Sequence, residues 1–320
     1  MSQRIPGVYE LCSVYIYKTK EMSDAGENSG GSGFIVRFPL ERNIEEYQLY
    51  VVTNRHVIER MANPVLRIND ISNKFRSLET NKLRWVINDV DDLAVYPLTI
   101  PEEEFQIACV PVERFVTPHL MNSLNIGPGD DVFMVGRFVS HEGTQKNTPS
   151  VRFGNISMLA EETTQNAFGQ AQETFLVEMR SIPGYSGSPV FVILDPTLPR
   201  PRGSDNPEEA GPTYVSPNPI LTSSSSELGM YAQGIHGPWL LGIDWTHIHN
   251  YLPILNKKGS SQNLDDHVEG QWVESHTGMS GVIPAWKIRQ LLDIDELASQ
   301  RAKEDAKISK QKAEEIAAQL

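Results

Sequence analysis

From Val8 to Pro284 the chain is a succession of short β-branched and aromatic runs, each closed off by Gly, Pro, Asn or Asp, and this rhythm rules out most folds. Val8 to Tyr17, Gly33 to Phe38, Gln48 to Thr53, Val65 to Ile68, Leu93 to Leu98 and Gln106 to Pro111 read as strands of a first unit. Val132 to Phe138, Ser150 to Leu159, Phe175 to Met179, Pro189 to Leu194, Trp239 to Trp245 and Gly281 to Pro284 read as strands of a second. Such spacing belongs to all-β barrels rather than to alternating strand and helix. The turn cluster Asn125-Ile126-Gly127-Pro128-Gly129-Asp130 opens the second unit, so the boundary is expected between Val112 and Asn125. The expected division is 1–118, 119–292 and a tail over 293–320.

Within this frame Gly184-Tyr185-Ser186-Gly187-Ser188-Pro189 reads as a serine on a tight turn ahead of the apolar run Val190 to Leu194. A serine hydroxyl is a poor nucleophile unless an imidazole takes its proton and a carboxylate holds that imidazole in the right tautomer. Two earlier motifs supply these groups. Val51-Val52-Thr53-Asn54-Arg55-His56 ends a β-branched strand in a histidine, and Asp91-Asp92-Leu93-Ala94-Val95 begins another with a carboxylate. Ser186, His56 and Asp92 are therefore the candidate catalytic set. Gly184 and Gly187 allow the backbone to approach a substrate closely, and the N–H groups of Gly184 and Ser186 would form the oxyanion hole.

Four segments, Gly31-Ser32-Gly33-Phe34-Ile35-Val36, Val52 to Ile58, Asp92-Leu93-Ala94-Val95 and Pro183 to Pro189, resemble in order those of trypsin-like serine peptidases of the chymotrypsin fold, most nearly HtrA-type catalytic domains. Gly281-Val282-Ile283-Pro284 leading into Lys287 to Leu292 is similar to the family's last strand and closing helix. The resemblance implies two packed six-stranded antiparallel β-barrels with a C-terminal helix and helical tail, and a serine endopeptidase acting on a protein or peptide through an acyl-enzyme. It selects Asp92 over its neighbour Asp91, which does not directly precede Leu-Ala-Val. It also puts Arg180 at the floor of the primary specificity pocket, Gly242-Ile243-Asp244 on the strand that pairs with substrate backbone, and Ser280 in the pocket wall. Arg180 would favour acidic side chains if it pointed inward; an outward-pointing strand arginine is the plainer reading. Where many secreted relatives carry Asp before the serine this chain has Tyr185, so activation by insertion of a new N-terminus is not expected. No PDZ domain is expected after Leu320. The rival reading is a latent or inactive member that serves as a peptide-binding or partner-regulated module.

Other arrangements fit less well. Gly278-Met279-Ser280-Gly281 imitates the serine motif but lacks the proline three residues on. An α/β-hydrolase elbow needs glycine where Ser188 stands, and a subtilisin order needs the aspartate before the histidine. His236, His247 and His249 have no cysteine near them, and read as ordinary strand or loop histidines rather than zinc ligands. No metal or cofactor is called for.

The formal net charge of -13 argues against nucleic acid or an anionic membrane surface as a main partner. Only Cys12 and Cys109 occur, and the N-terminus shows no apolar signal segment, so a cytoplasmic location is expected. Residues 195–234, rich in proline and containing the serine run Ser223 to Ser226, read as a mobile insertion near the cleft. Asp293 to Leu320 has neither glycine nor proline and reads as a solvated charged helix, open to self-association or a partner.

Overall fold

A computed structural model describes residues 5–26, 30–138, 143–165, 169, 171–179, 181–182, 184–194, 221–222, 238–255 and 267–319. The first half contains β1 (Ser13–Tyr17), β2 (Gly31–Pro39), β3 (Tyr47–Thr53), β4 (Val65–Asn69), β5 (Phe75–Glu79), β6 (Val86–Ile87), β7 (Ala94–Leu98) and β8 (Ala108–Pro111), with short helices α1 (Lys20–Ala25) and α2 (Arg55–Glu59). Helix α3 (Pro118–Leu124) leads to β9 (Asp131–Gly136), β10 (Ser150–Met158), β11 (Thr163–Gln165), β12 (Ala171–Glu173), β13 (Phe175–Glu178), β14 (Pro189–Ile193), β15 (Leu221–Thr222), β16 (Trp239–Leu255) and β17 (His267–Pro284). Helices α4 (Ala285–Leu292) and α5 (Asp295–Gln319) end the chain.

The second half closes as expected, a six-stranded antiparallel barrel in the order β10-β13-β17-β16-β14-β9. Its interior is Val132, Met134, Ile156, Phe175, Val177, Val190, Val192 and Leu241, the inward residues of alternating strands. The first half follows the path β5-β4-β1-β2-β3-β7-β6, with β8 lying parallel to β2. Among the described residues no ladder joins β5 back to β6 or β7, so the expected six-stranded closed barrel is here an open, curled sheet. Beside this seam the end of β4 is tied to residues 104–106 by the Ile71 N–H to the Glu104 carbonyl at 3.1 Å and the Gln106 N–H to the Asn69 carbonyl at 2.9 Å, and side chains fill the rest. Leu66, Leu78, Leu98 and Phe105 line it, Arg84 lies over the Tyr96 ring, and a cleft of about 470 Å³ remains.

A third apolar cluster lies between the halves, where Phe133 stacks on Phe191 at 5.0 Å and Tyr9 meets both rings edge-on. Ile288, Leu291 and Leu292 of α4 close over this cluster. The last helix differs from its solvated reading over its first turns. Buried Arg301 donates to the Tyr50 hydroxyl at 3.1 Å and the Leu292 carbonyl at 2.8 Å, and its guanidinium lies 3.8 Å from the Phe38 ring centre. Asp305 accepts from the Arg42 N–H and the Asn43 amide, which clamps α5 onto the β2–β3 hairpin. Hydrophobic periodicity could not reveal this contact, because charged side chains make it and distant polar partners satisfy them. The insertion expected over 195–234 lies outside the described residues except for β15, which pairs with Cys109 and Ala108. The chymotrypsin-like arrangement implied by the sequence motifs is present, mostly β with one closed barrel and C-terminal helices.

Candidate active site

Strand pairing carries His56 and Asp92 to one another. Thr53 and Ala94 are partners at the ends of β3 and β7, so the residues just after one face those just before the other. Asn54 leaves β3 in an extended conformation and sends its amide to the Asp92 carbonyl at 3.0 Å, and α2 begins there with His56 in its first turn. A helix start has N–H groups with no partner inside the helix. The Asp92 carboxylate takes one of them, the His56 N–H to Oδ1 at 2.9 Å, while its Oδ2 lies 2.6 Å from the imidazole Nδ1. One buried carboxylate thus fixes both backbone and ring of His56. With Nδ1–H donated to Asp92, Nε2 is the acceptor of the ring.

Asp92 is held in turn. Its N–H donates to the Gln172 side-chain oxygen at 3.0 Å, and the amide nitrogen of the same Gln172 donates to Asp91 at 2.8 Å. Asn88 caps the turn by accepting from the N–H groups of Val90 and Asp91. Lys287 of α4 lies 3.8 Å from Asp91 and 2.9 Å from Glu173. The two adjacent aspartates therefore separate, Asp92 toward His56 and Asp91 toward a glutamine and a lysine from the second half.

The serine turn rests on the first half of the molecule. The Ser32 N–H donates to the Ser186 carbonyl at 2.8 Å, and the Ser32 hydroxyl donates to the Gly184 carbonyl at 2.9 Å while accepting from the Arg137 N–H. Gly187 has φ of +92°, and a Cβ there would lie 1.9 Å from the Ser32 carbonyl oxygen, so only glycine fits. Gly31 shows how near the two motifs come: a Cβ on it would touch the side chain of Val57, next to His56, and at 3.0 Å the carbonyl of Ser186. Among the described residues the N–H groups of Gly184 and Ser186 have no protein acceptor.

Tyr185 points into the closed barrel. Its hydroxyl meets the Ser150 hydroxyl and accepts from Arg152 Nε at 2.9 Å, with the guanidinium 5.0 Å from its ring. The side chain that stands where many relatives carry Asp thus anchors the serine turn to β10.

The predicted substrate strand is placed differently from its expected role. Gly242 and Ile243 are flanked on both sides, by β14 and by β17, so neither presents a free edge to a substrate. The Asp244 main chain is also engaged: its carbonyl accepts from Gly187 at 2.9 Å and its N–H donates to Ser188 at 2.9 Å. Its side chain is buried, accepting from Ser181 Oγ at 2.9 Å and from Ser280 Oγ. Burial pushes the Asp244 carboxyl up to about 6, against the hydrogen bonds from Ser280 and Ser181 and the proximity of His56. Ser280 is thereby joined to the serine turn through Asp244, and Arg180 lies outside the described residues. Sequence reasoning missed Gln172, Ser181 and the role of Ser32, small polar residues whose importance comes only from their spatial partners.

A family model described as a trypsin-like peptidase domain matches residues 31–193. The fold is similar to that of the MamO protease domain from Magnetospirillum magneticum in its apo form, at 14% identity over 90% of this chain and 98% of that chain, with TM-score 0.47. It is also similar to a serine endoprotease from Yersinia pestis, at 12% identity over 92% of this chain and 68% of that chain, with TM-score 0.42. The HtrA-type protease AlgW with tripeptide is 16% identical over 88% of this chain and 60% of that chain, with TM-score 0.42. No curated protein matches the chain significantly in sequence.

Proposed function

The chain belongs to the trypsin-like peptidase family, and from that premise we propose that it is a serine endopeptidase with Ser186 as nucleophile, His56 as general base and acid, and Asp92 as the group that orients His56. The observation that carries this reading is the double grip of the Asp92 carboxylate on the His56 N–H and Nδ1. It leaves Nε2 as a lone-pair acceptor, the state a base needs before the serine attacks.

In the reaction the Ser186 hydroxyl adds to the substrate carbonyl carbon as its proton passes to His56 Nε2, and Asp92 stabilises the resulting imidazolium. The oxygen of the tetrahedral intermediate accepts from the N–H groups of Gly184 and Ser186. His56 then gives its proton to the leaving amine, and the C–N bond breaks to leave an ester on Ser186. Water, deprotonated by the same imidazole, adds to the ester, and collapse of the second intermediate releases the acid and restores the serine.

Ser186→Ala is expected to abolish both fluorophosphonate labelling and casein hydrolysis while leaving the far-ultraviolet circular dichroism of the wild type. Labelling that persists in this variant overturns the assignment of the nucleophile. Wild-type protein that neither labels nor cleaves overturns the enzymatic reading and leaves the latent module.

A further inference from the structure

Asp92 has four polar atoms, and each has its own partner. Three are met within the first half: the carbonyl accepts from the Asn54 amide at 3.0 Å, Oδ1 accepts from the His56 N–H at 2.9 Å, and Oδ2 lies 2.6 Å from His56 Nδ1. The fourth is met from the second half. The Asp92 N–H donates at 3.0 Å to Oε1 of Gln172, a residue 80 positions further along the chain. The half that carries Ser186 therefore has a direct hold on the residue whose carboxylate is bonded to His56.

Gln172 lies in the middle of β12, opposite Thr164 of β11, in a two-stranded sheet separate from the two larger ones. Side chains alternate along a strand, and here the alternation turns Gln172 inward to 3% exposure while Ala171 stays exposed. A buried amide costs free energy unless both its ends are bonded. Oε1 takes the Asp92 N–H, and Nε2 donates to Asp91 Oδ1 at 2.8 Å and to the Glu173 carbonyl at 3.3 Å. The two ends cannot be exchanged, because an N–H needs an acceptor and a carboxylate needs a donor. Gln172 thus grips the backbone of one aspartate and the side chain of its neighbour. Helix α4 steadies β12: Trp286 Nε1 donates to Glu173 Oε1 at 3.2 Å, and Lys287 lies 2.9 Å from the same carboxylate.

We propose that Gln172 is a positioning residue for the candidate triad, one that holds Asp91 and the Asp92 N–H together and so fixes Asp92 as the carboxylate presented to His56. The proposal rests on the serine peptidase reading. Without the amide, the Asp92 N–H is left in a buried position with no acceptor, and the Asp91 carboxylate keeps the longer contacts with Asn88 Nδ2 at 3.5 Å and Lys287 at 3.8 Å. The turn then gains by moving, and the Asp92 carboxylate moves with it. A displaced carboxylate no longer selects the Nδ1–H tautomer of His56, and an imidazole protonated at Nε2 cannot take the Ser186 proton. Among the described residues Gln172 bonds to neither the imidazole nor the serine turn, so it acts through Asp92, and its loss falls on kcat rather than on KM.

The test compares full-length Gln172→Met and Gln172→Glu with the double variant Gln172→Glu, Asp91→Asn. Methionine fills the space without bonding, and glutamate keeps an acceptor for the Asp92 N–H but sets a second carboxylate against Asp91. In the double variant the asparagine amide donates to the glutamate, so the bond returns with donor and acceptor exchanged. Each single variant is expected to lower kcat on a casein-derived peptide by about tenfold to a hundredfold with KM within about threefold of wild type, and the double variant to recover to within about threefold. Trp286→Phe removes the bond to Glu173, keeps the ring against Phe175, and leaves Gln172 on both aspartates; it should change kcat less than about twofold. Melting curves of all four separate a loss of position from a loss of fold. A second readout needs no turnover: in ¹⁵N-labelled Ser186→Ala protein in alkaline solution, the His56 ring nitrogens, assigned by their loss in His56→Gln, should report the Nδ1–H tautomer, and Gln172→Met, or Gln172→Glu if the former does not fold, should raise the share of the Nε2–H form. A tautomer unchanged in the folded Gln172 variant, a kcat within about threefold of wild type, or a double variant no better than Gln172→Glu overturns the proposal. Fluorophosphonate labelling of the wild type decides the serine peptidase reading separately, and the tautomer readout stands whichever way that falls.

Discussion

Replacing Asp244 by asparagine should stabilise the protein, and do so only where the carboxylate is charged. The group is buried beneath the serine turn, and its carboxyl is raised from 3.8 to about 6, chiefly by burial. A folded-state value above the unfolded one means that the native protein binds this proton more tightly than the unfolded chain. The associated stability is fully present below about pH 4 and is lost as pH rises through about 6. A shift of about 2 units corresponds to roughly 3 kcal/mol by pH 8. Asparagine keeps the shape and carries no charge to desolvate, and the hydroxyls of Ser181 and Ser280 can rotate so that one donates to Oδ1 and the other accepts from Nδ2. The difference in unfolding free energy between Asp244→Asn and wild type should therefore be near zero at pH 4 and rise to about 3 kcal/mol in favour of the variant at pH 8. Urea denaturation at a series of pH values measures it, and because other titrating groups are common to both proteins they cancel in the difference. A variant less stable than wild type at pH 8, or a difference independent of pH, would refute the claim that burial of this charge is the dominant cost.

The same contacts set further outcomes. Asp92→Asn presents an amide that cannot accept from both the His56 N–H and Nδ1–H in the same way, so kcat should fall by about four orders of magnitude with little change in the melting curve; a loss below about tenfold argues against the orienting role. Gly187→Ala forces a Cβ to 1.9 Å from the Ser32 carbonyl at φ of +92°, and should cost about 3 kcal/mol or more in stability together with most activity, measured by urea denaturation and labelling. Arg301→Ala leaves the Tyr50 hydroxyl and the Leu292 carbonyl without their donor and should lower stability by about 2–4 kcal/mol; a change within about 0.5 kcal/mol would mean that α5 is not docked in solution.

The contrast between the two aspartates shows how far the residues alone could lead. Asp91 and Asp92 are chemically identical neighbours, and in the sequence only the Leu93-Ala94-Val95 directly after Asp92 tells them apart. In the folded chain the separation has a cause: the Thr53↔Ala94 register aims Asp92 at His56, while Gln172 and Lys287, far along the chain, occupy Asp91. The substrate strand went the other way. The family resemblance implies that Gly242-Ile243-Asp244 pairs with substrate backbone, yet Gly242 and Ile243 are flanked by β14 and β17, and the Asp244 main chain is bonded to Gly187 and Ser188.

Local signals in the chain were enough for the all-β class, the β-branched runs that became inner strands of the closed barrel, the helical tail, and the three motifs of the candidate site. These signals are alternation, turn residues at fixed offsets, and the absence of glycine and proline from the tail. Only in three dimensions does the first sheet stay open at its seam, do Arg301 and Asp305 dock the tail, does Asp244 become a buried carboxylate beneath the serine turn, and do β16 and β17 run on as a ribbon beyond the barrel. Each of these depends on which distant polar group meets which, or on which strand pairs with which among the described residues. Pairing of that kind is a property of the assembled chain, because a hydrogen-bond partner 80 or more residues away leaves no period in the sequence around either residue.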